Sequence, residues 1–244
     1  SQTITVIDDV SPQFDNAPGD ITADCNDVPN APANIAATDN CDPNVDITFG
    51  ESIEPGLCPE SFKIIRTWAA TDDCGNTTLH FQEVSVGDNE APVITGIPPN
   101  TNADCDAIPN VPLPTDIVVT DNCDINVDIE LNETTLPGGC PSEYTLIREW
   151  TATDNCGNQT TETQNIYVFD NSLPELADVP ADITVECGAV PTVANPTATD
   201  NCSGNITGTT DAIFPITEKG LSIITWTYDD VHGNTSIQTQ NVIV

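Results

Sequence analysis

The sequence predicts an all-β fold of three tandem immunoglobulin-like β-sandwich domains in an extended rod. Three observations carry this. A self-similar unit recurs every 80 residues or so, apolar residues alternate with period two inside each unit, and turn-forming residues punctuate the chain at short intervals. The period is visible in "SQTITVIDD" (1–9), "FQEVSVGDN" (81–89), "TQNIYVFDN" (163–171) and "TQNVIV" (239–244), whose glutamines stand at 2, 82, 164 and 240.

Along the chain, residues 1–8 resemble the last strand of a preceding unit, and the three domains follow as 9–88, 89–170 and 171–244. Each opens with an Asp-containing linker that ends in Pro12, Pro92 or Pro174. Next come "DITADC", "NTNADC" and "DITVEC"; a Pro-rich stretch then leads to "ATDNC", "VTDNC" and "ATDNC". The closing segments are "FKIIRTWAATDDCGN", "YTLIREWTATDNCGN" and "LSIITWTYDDVHGN", and Trp68, Trp150 and Trp226 each lie eight residues before the Asn of the final turn. Around Trp150, Leu146, Arg148 and Ala152 share its face while Thr145, Ile147, Glu149 and Thr151 take the other, as in a strand. The Asp-x-Cys-Gly-Asn that follows suits a tight hairpin turn. Small sandwiches with short strands accommodate this pattern, with the tryptophans as core anchors.

The charge is lopsided: 39 Asp+Glu against Lys63, Arg66, Arg148 and Lys219, a formal net charge of −35. Such a surface repels phosphate backbones and anionic lipid, so neither nucleic-acid binding nor membrane insertion is expected. Cations are its natural partners, although acidity also serves solubility. The ten cysteines include no Cys-x-x-Cys pair, which disfavours zinc-ribbon and thioredoxin chemistry and favours disulfides in an extracellular compartment. No apolar run is long enough to span a membrane and no signal peptide is recognisable, so the chain reads as a mature or excised piece of a secreted or cell-surface protein.

The third unit, "PADITVEC…PTATDNCSG…FPITEKGLSIITWTYDDVHGNTS", resembles a hyalin repeat (HYR) domain. The four-cysteine version, with "TDNC" and "TATDNCGN", is similar to tandem repeats of large surface adhesins in gliding bacteria of the Bacteroidota type. That resemblance implies an Ig-like fold, a cell-surface location, a role in adhesion or as a stalk, and no catalysis. The third unit departs from it by lacking two cysteines.

Units one and two carry Cys25, Cys41, Cys58, Cys74 and Cys105, Cys123, Cys140, Cys156; the third keeps Cys187 and Cys202, with His232 in the fourth place. Loss of cysteines in pairs favours Cys25–Cys41, Cys58–Cys74, Cys105–Cys123, Cys140–Cys156 and Cys187–Cys202. Geometry objects, because a ten-residue strand of about 33 Å separates the third cysteine from the fourth. Cys25–Cys58 with Cys41–Cys74 respects the strands but leaves Cys187 and Cys202 unpaired. The connectivity stays open.

Traced as a sandwich, both acidic turns of a domain face the linker that enters it. The expected clusters are Asp8, Asp9, Asp39, Asp42, Asp72 and Asp73 for the first domain and Asp88, Glu90, Asp121, Asp124 and Asp154 for the second. The third offers Asp170, Asn171, Asp200, Asp229 and Asp230. Convergent carboxylate and amide oxygens suit Ca²⁺, which would stiffen the junctions; hydrogen-bonded Asx turns explain the same residues without a metal.

No Gly-x-Ser-x-Gly, His-Glu-x-x-His or phosphate-binding loop occurs, so no enzyme is expected. The sequence points to a non-enzymatic adhesin segment, with neighbouring repeats, calcium and possible surface glycans or proteins as partners. Two alternatives are a filament subunit in which residues 1–7 add as a strand to another chain, and a carbohydrate-binding module.

Overall fold

The computed structural model describes residues 2–139, 142–177, 180–189 and 193–244; Cys140 falls outside them. The described residues form strands, turns and irregular segments, with no helix among them. Three tandem sets of sheets follow one another, as the sequence predicts. In the first set, β1 (Gln13–Phe14), β2 (Ile21–Asp24), β3 (Ala37–Thr38), β4 (Asp46–Pro55), β5 (Phe62–Thr71) and β6 (Thr77–Gly87) make a two-stranded sheet β1-β3 and a four-stranded sheet β2-β6-β5-β4. The second set repeats it with β7 (Val93–Thr95), β8 (Thr101–Asp104), β9 (Val118–Thr120), β10 (Asp128–Pro137), β11 (Tyr144–Thr153) and β12 (Gln159–Phe169), ordered β7-β9 and β8-β12-β11-β10. In the third, β13 (Glu175–Leu176), β15 (Thr197–Asp200) and β16 (Gly204–Thr207) pair in one sheet, and β14 (Ile183–Thr184), β18 (Thr235–Ile243) and β17 (Leu221–Asp229) in the other.

The register explains the repeated residues. The last strand of each set runs parallel to a short strand, β2–β6, β8–β12 and β14–β18. The buried glutamine that marks the sequence period fastens that pairing. Gln82, Gln164 and Gln240 donate Nε2 to the carbonyls of Gly19 (2.6 Å), Pro99 (3.2 Å) and Ala181 (2.8 Å), each two residues ahead of the parallel strand. The next residue supplies a side-chain acceptor: Asp20, Asn100 and Asp182 receive the backbone N–H groups of Glu83, Asn165 and Asn241.

Trp68, Trp150 and Trp226 are buried, as expected of core anchors, and the Trp226 indole N–H bonds to Gln240 at 3.2 Å. Two residues before Trp68 and Trp150 a buried arginine faces inward. Arg148 donates to Glu133 at 2.8 Å and to the carbonyls of Pro109 and Asn110; Arg66 likewise meets Glu51 and the Pro29 carbonyl. The third repeat has Ile224 at that position, packed in an apolar cluster with Trp226, Tyr228 and Val242.

By packing, the chain divides into two compact units. One comprises residues 1–96, 117–130 and 150–162; the other comprises 97–116, 131–149 and 163–244. The first unit holds the cluster of Ile64, Val84 and Val86, and the second holds those around Ile166 and around Trp226. Each unit therefore contains the turns that surround one linker, Gly87–Pro92 in the first and Asp170–Pro174 in the second.

Replacing Arg148 by methionine keeps the apolar stem but strands two carbonyls that the guanidinium now satisfies. It is expected to cost about 2–3 kcal/mol of stability, read by calorimetry or denaturant unfolding.

Candidate functional site: the acidic junctions

The closing turn of each repeat is built by one aspartate. Asp72 Oδ1 accepts the N–H groups of Cys74 (2.9 Å) and Asn76 (2.8 Å), and its Oδ2 accepts the Asn76 side-chain amide (2.7 Å). Asp154 does the same with Cys156 and Asn158, and Asp230 with His232 and Asn234. Gly75, Gly157 and Gly233 supply the positive φ that the turn needs, at 89°, 93° and 105°. The asparagine then reaches outward. Asn76, Asn158 and Asn234 donate Nδ2 to the main-chain carbonyls of Asp8 (3.3 Å), Asp88 (3.3 Å) and Asp170 (3.2 Å) in the incoming linkers.

The "TDNC" turn is a second Asx turn. Asp39, Asp121 and Asp200 each accept, on Oδ1, the N–H of the following cysteine and of the residue after it. Asp42 and Asp124 bridge the two turns, accepting from Asn44 and Asp73 in one case and from Asn126 and Asn155 in the other. In the third repeat Ser203 replaces them and bonds to the Asp230 carbonyl and to His232 Nδ1. The linker aspartates Asp8, Asp88 and Asp170 hold the N–H groups of Val10, Glu90 and Ser172 on Oδ1.

The expected acidic residues therefore fall into distinct groups. Asp72, Asp154 and Asp230 spend both carboxylate oxygens on their own turns. Asp9, Asp73, Glu90 and Asp229 are exposed. Asp42 and Asp124 likewise use both oxygens, and Asp8 and Asp39 accept on Oδ1. Asp88 Oδ2 and Asp121 Oδ2 at the first linker, with the unpredicted Asn122 Oδ1, and Asp170 Oδ2 and Asp200 Oδ2 at the second are buried without a hydrogen-bond donor. Asp88 and Asp121 place carboxylate oxygens within 4.8 Å of each other. Two participants escaped the sequence reading. Asp24 accepts the Asn122 amide at 3.0 Å and Asp104 accepts that of Asn201 at 3.0 Å. The recurring acid before the first cysteine, in "ADC" and "VEC", was their signal.

Electrostatics separates the same groups. Burial acts upward on Asp72, Asp154 and Asp230, but the donors of the closing asparagine and the turn backbone outweigh it and hold all three below the ordinary aspartate range. Asp88 is pushed up, first by burial, against the Glu90 N–H, and then by the charges of Asp121, Asp154 and Asp24. Asp170 is pushed up by burial, against the Ser172 N–H, and by Asp200 and Asp230, with His232 opposing. His232 Nδ1 lies 3.4 Å from Asp170 Oδ2.

The disulfides overturn every pairing expected from the sequence. Cys25 bonds Cys123, Cys58 bonds Cys156 and Cys105 bonds Cys202, with Cα separations of 6.0, 5.1 and 5.8 Å. The pairs Cys25–Cys41, Cys58–Cys74, Cys105–Cys123, Cys140–Cys156 and Cys187–Cys202 do not form, nor do Cys25–Cys58 and Cys41–Cys74. Cys41, Cys74 and Cys187 are free and exposed. Strand length excludes the first-to-second and third-to-fourth bonds, and Cys25–Cys58 is excluded because each of the two is taken by a cysteine of the following repeat, while Cys41 and Cys74 stay unbonded. In the first repeat Cys25 and Cys58 stand at the outgoing pole, where Phe62 pairs with Val86; Cys41 and Cys74 stand at the incoming pole, where Thr71 pairs with Thr77. Each bond joins the outgoing pole of one repeat to the incoming pole of the next.

Residues 176–244 match a family described as the HYR-like domain with 4 cysteines, so the third repeat is HYR-like although it holds only Cys187 and Cys202. No curated protein matches the sequence. Among solved structures the chain is similar to Drosophila N-cadherin EC1-4, at TM-score 0.31 and 13% identity over 97% of this chain and 76% of that one. It is similar too to the protocadherin GammaB4 extracellular domain (0.34; 16%; 99% and 50%) and to the human desmocollin-1 ectodomain (0.31; 12%; 96% and 61%). The chain thus spans less than two thirds of the latter two.

Two outcomes follow for the junctions. Asn158→Ala removes one clamp bond and the tie to the linker, and is expected to cost about 1–2 kcal/mol and to speed amide exchange in residues 87–92. In chelator, the raised Asp88 and Asp170 contribute stability that is present below the unfolded value near 3.9 and lost as pH rises through their folded values. The lowered Asp72, Asp154 and Asp230 contribute stability present above about 3.9 and lost as pH falls through their folded values. Melting temperature without calcium should therefore peak on the acid side of neutrality. In the Asp88→Asn/Asp170→Asn variant, the decline towards neutral pH should flatten.

Proposed function

We propose that the chain is a non-enzymatic segment of an extracellular adhesin, a stalk or adhesive stretch whose repeats are joined by disulfides and, at the first junction, by Ca²⁺. The observation that carries this is that all three disulfides among the described residues connect successive repeats. Bonds placed there do little for a ligand pocket within one repeat, but they carry tension from each repeat to the next. Disulfides persist in oxidising compartments, which supports an extracellular location. The acidic junction is built at each linker, as suits a structural element rather than a single catalytic centre. The setting we propose, a bacterial surface adhesin of the gliding Bacteroidota type with glycans or proteins of a surface as adhesive partners, rests on the resemblance carried by "TDNC" and "TATDNCGN".

Calcium is supported by the orphaned oxygens. Asp88 Oδ2, Asp121 Oδ2 and Asn122 Oδ1 are three buried acceptors with no donor, which a hard cation with oxygen ligands satisfies. The ion would neutralise repulsion between the linker and the "TDNC" turn and tie one to the other. The second junction offers a weaker case, because among the described residues only Asp170 Oδ2 and Asp200 Oδ2 are orphaned acceptor oxygens there and His232 Nδ1 lies 3.4 Å from the former. A second reading, strand addition into another chain, is favoured by residues 2–8, which lie outside any strand and expose Ile4 (81%), Val6 (88%) and Ile7 (78%).

Pulling single molecules from both ends tests the load-bearing role. In the oxidised chain, force passes from Cys25 to Cys123, back to Cys105 and on to Cys202. Reduction should release on the order of 500 Å of further extension; equal extension before and after reduction refutes the role. Titration calorimetry tests the ion. A site with Kd of roughly 0.1–1 mM is expected, lost in Asp88→Asn/Asp121→Asn, and absence of binding in the unaltered protein refutes calcium.

A further inference from the structure

We infer that the junction at the linker entering the third repeat, Asp170–Pro174, is a binding site for a divalent transition-metal ion of the zinc class, built from His232, Asp170 and Asp230 with Asp200 beside them. The inference does not depend on calcium at the first junction.

One change of residue sets this junction apart. In the first two repeats the closing turn carries a cysteine just before its glycine, Cys74 and Cys156; the third carries His232 there. Cys156 is bonded to Cys58, so its sulfur is not available to a metal. His232 brings an imidazole instead, and its side chain is 2% exposed. The turn anchors it, since the His232 N–H donates to Asp230 Oδ1 at 2.8 Å. Nδ1 lies 3.4 Å from Asp170 Oδ2, on a side chain that is 0% exposed. Asp170, Asp230 and His232 each bring one ligand atom within 4.8 Å of the other two.

The hydrogen bonds leave these atoms available. Asp170 Oδ2 and Asp200 Oδ2 are buried and accept from no donor. Asp230 Oδ2 accepts the Asn234 amide and keeps a second lone pair. The 3.4 Å between Nδ1 and Asp170 Oδ2 is long for an N–H···O bond. It matches the edge of a tetrahedral zinc site, where N and O ligands bonded at about 2.0–2.2 Å stand roughly 3.4 Å apart. Ser203 spends its hydroxyl proton on the Asp230 carbonyl (2.9 Å), so in the absence of an ion it accepts from Nδ1–H at 3.1 Å. On binding, the ion takes the Nδ1 lone pair and the ring proton resides on Nε2, which has no other partner among the described residues.

Charge favours a dication at this place. Burial, and then the charges of Asp200 and Asp230, push the Asp170 carboxyl up against the opposing Ser172 N–H and His232. Among the described residues no Lys or Arg forms an ion pair with Asp170, Asp200 or Asp230. An imidazole among carboxylates suits zinc, copper or nickel, whereas calcium takes six to eight oxygens. A cavity of about 430 Å³ lined by Asp106, Ser172, Glu175, Thr199, Asp200 and Asn201 gives an ion an acidic way in.

The test titrates zinc chloride and calcium chloride into the full chain after its free thiols have been alkylated, so that cysteine cannot supply the binding. Calorimetry should show zinc bound at least about tenfold more tightly than calcium at this junction, and His232→Gln and Asp170→Asn should each weaken zinc at least about tenfold. Nitrogen NMR of the unaltered protein should show the His232 imidazole resonances shifting with zinc while those of His80 stay, which keeps the test valid if a variant misfolds. Asp88→Asn/Asp121→Asn, which removes the calcium ligands of the first junction, should leave zinc binding unchanged. No zinc binding in the alkylated chain, binding that leaves the His232 resonances in place, or calcium displacing zinc at equal concentration overturns the inference.

Discussion

A ten-residue strand is about 33 Å long, and that length keeps the two ends of a repeat from bonding to each other. It holds Cys25 and Cys58 at one pole of their repeat and Cys41 and Cys74 at the other, beyond the reach of a disulfide. The disulfides among the described residues form where the outgoing pole of one repeat meets the incoming pole of the next. The same constraint gathers the acidic turns, because the "TDNC" turn and the closing turn both lie at the incoming pole, beside the linker.

Within that arrangement the aspartates divide the work according to their hydrogen bonds. Asp72, Asp154 and Asp230 each satisfy two backbone N–H groups and one side-chain amide, and that saturation holds their charge comfortably despite burial. Asp88 and Asp170 each receive one backbone N–H and keep a second oxygen buried with nothing to accept from. A carboxylate of the first kind completes a turn; one of the second kind keeps an oxygen that its own turn does not use. The asparagine of the closing turn joins the two, since its amide bonds both its own Asp and the linker carbonyl. Asn76, Asn158 and Asn234 are also Asn-x-Ser/Thr sequons, and a glycan on any of them would replace one of the two N–H bonds by which Nδ2 joins turn to linker.

Much of the fold was legible in the sequence because its signals are local. The period-two pattern around Trp150 is a property of one strand, and the Gly of Asp-x-Cys-Gly-Asn reports a positive φ at one position. The recurrence of glutamine at 82, 164 and 240 marked the repeat, though its cause was hidden. Each amide reaches a carbonyl some 60 residues earlier in the chain, which no local pattern reveals. Co-loss of cysteines misled for a similar reason. Loss of the third and fourth members in one repeat suggested that they bond each other, whereas a third-type cysteine depends on a fourth-type cysteine in the following repeat.

The sequence by itself determined the all-β class, the threefold repetition, the buried tryptophans and the gathering of acidic turns at each linker, because these follow from alternation, turn chemistry and chain direction. Tertiary structure alone decided which sulfur meets which, which carboxylate oxygens are consumed and which are orphaned, and that Asp24 and Asp104 join the junctions. Those outcomes depend on groups nearly 100 residues apart being brought within a few ångströms, and proximity of that kind is set by how the repeats pack and not by any stretch of sequence within one of them.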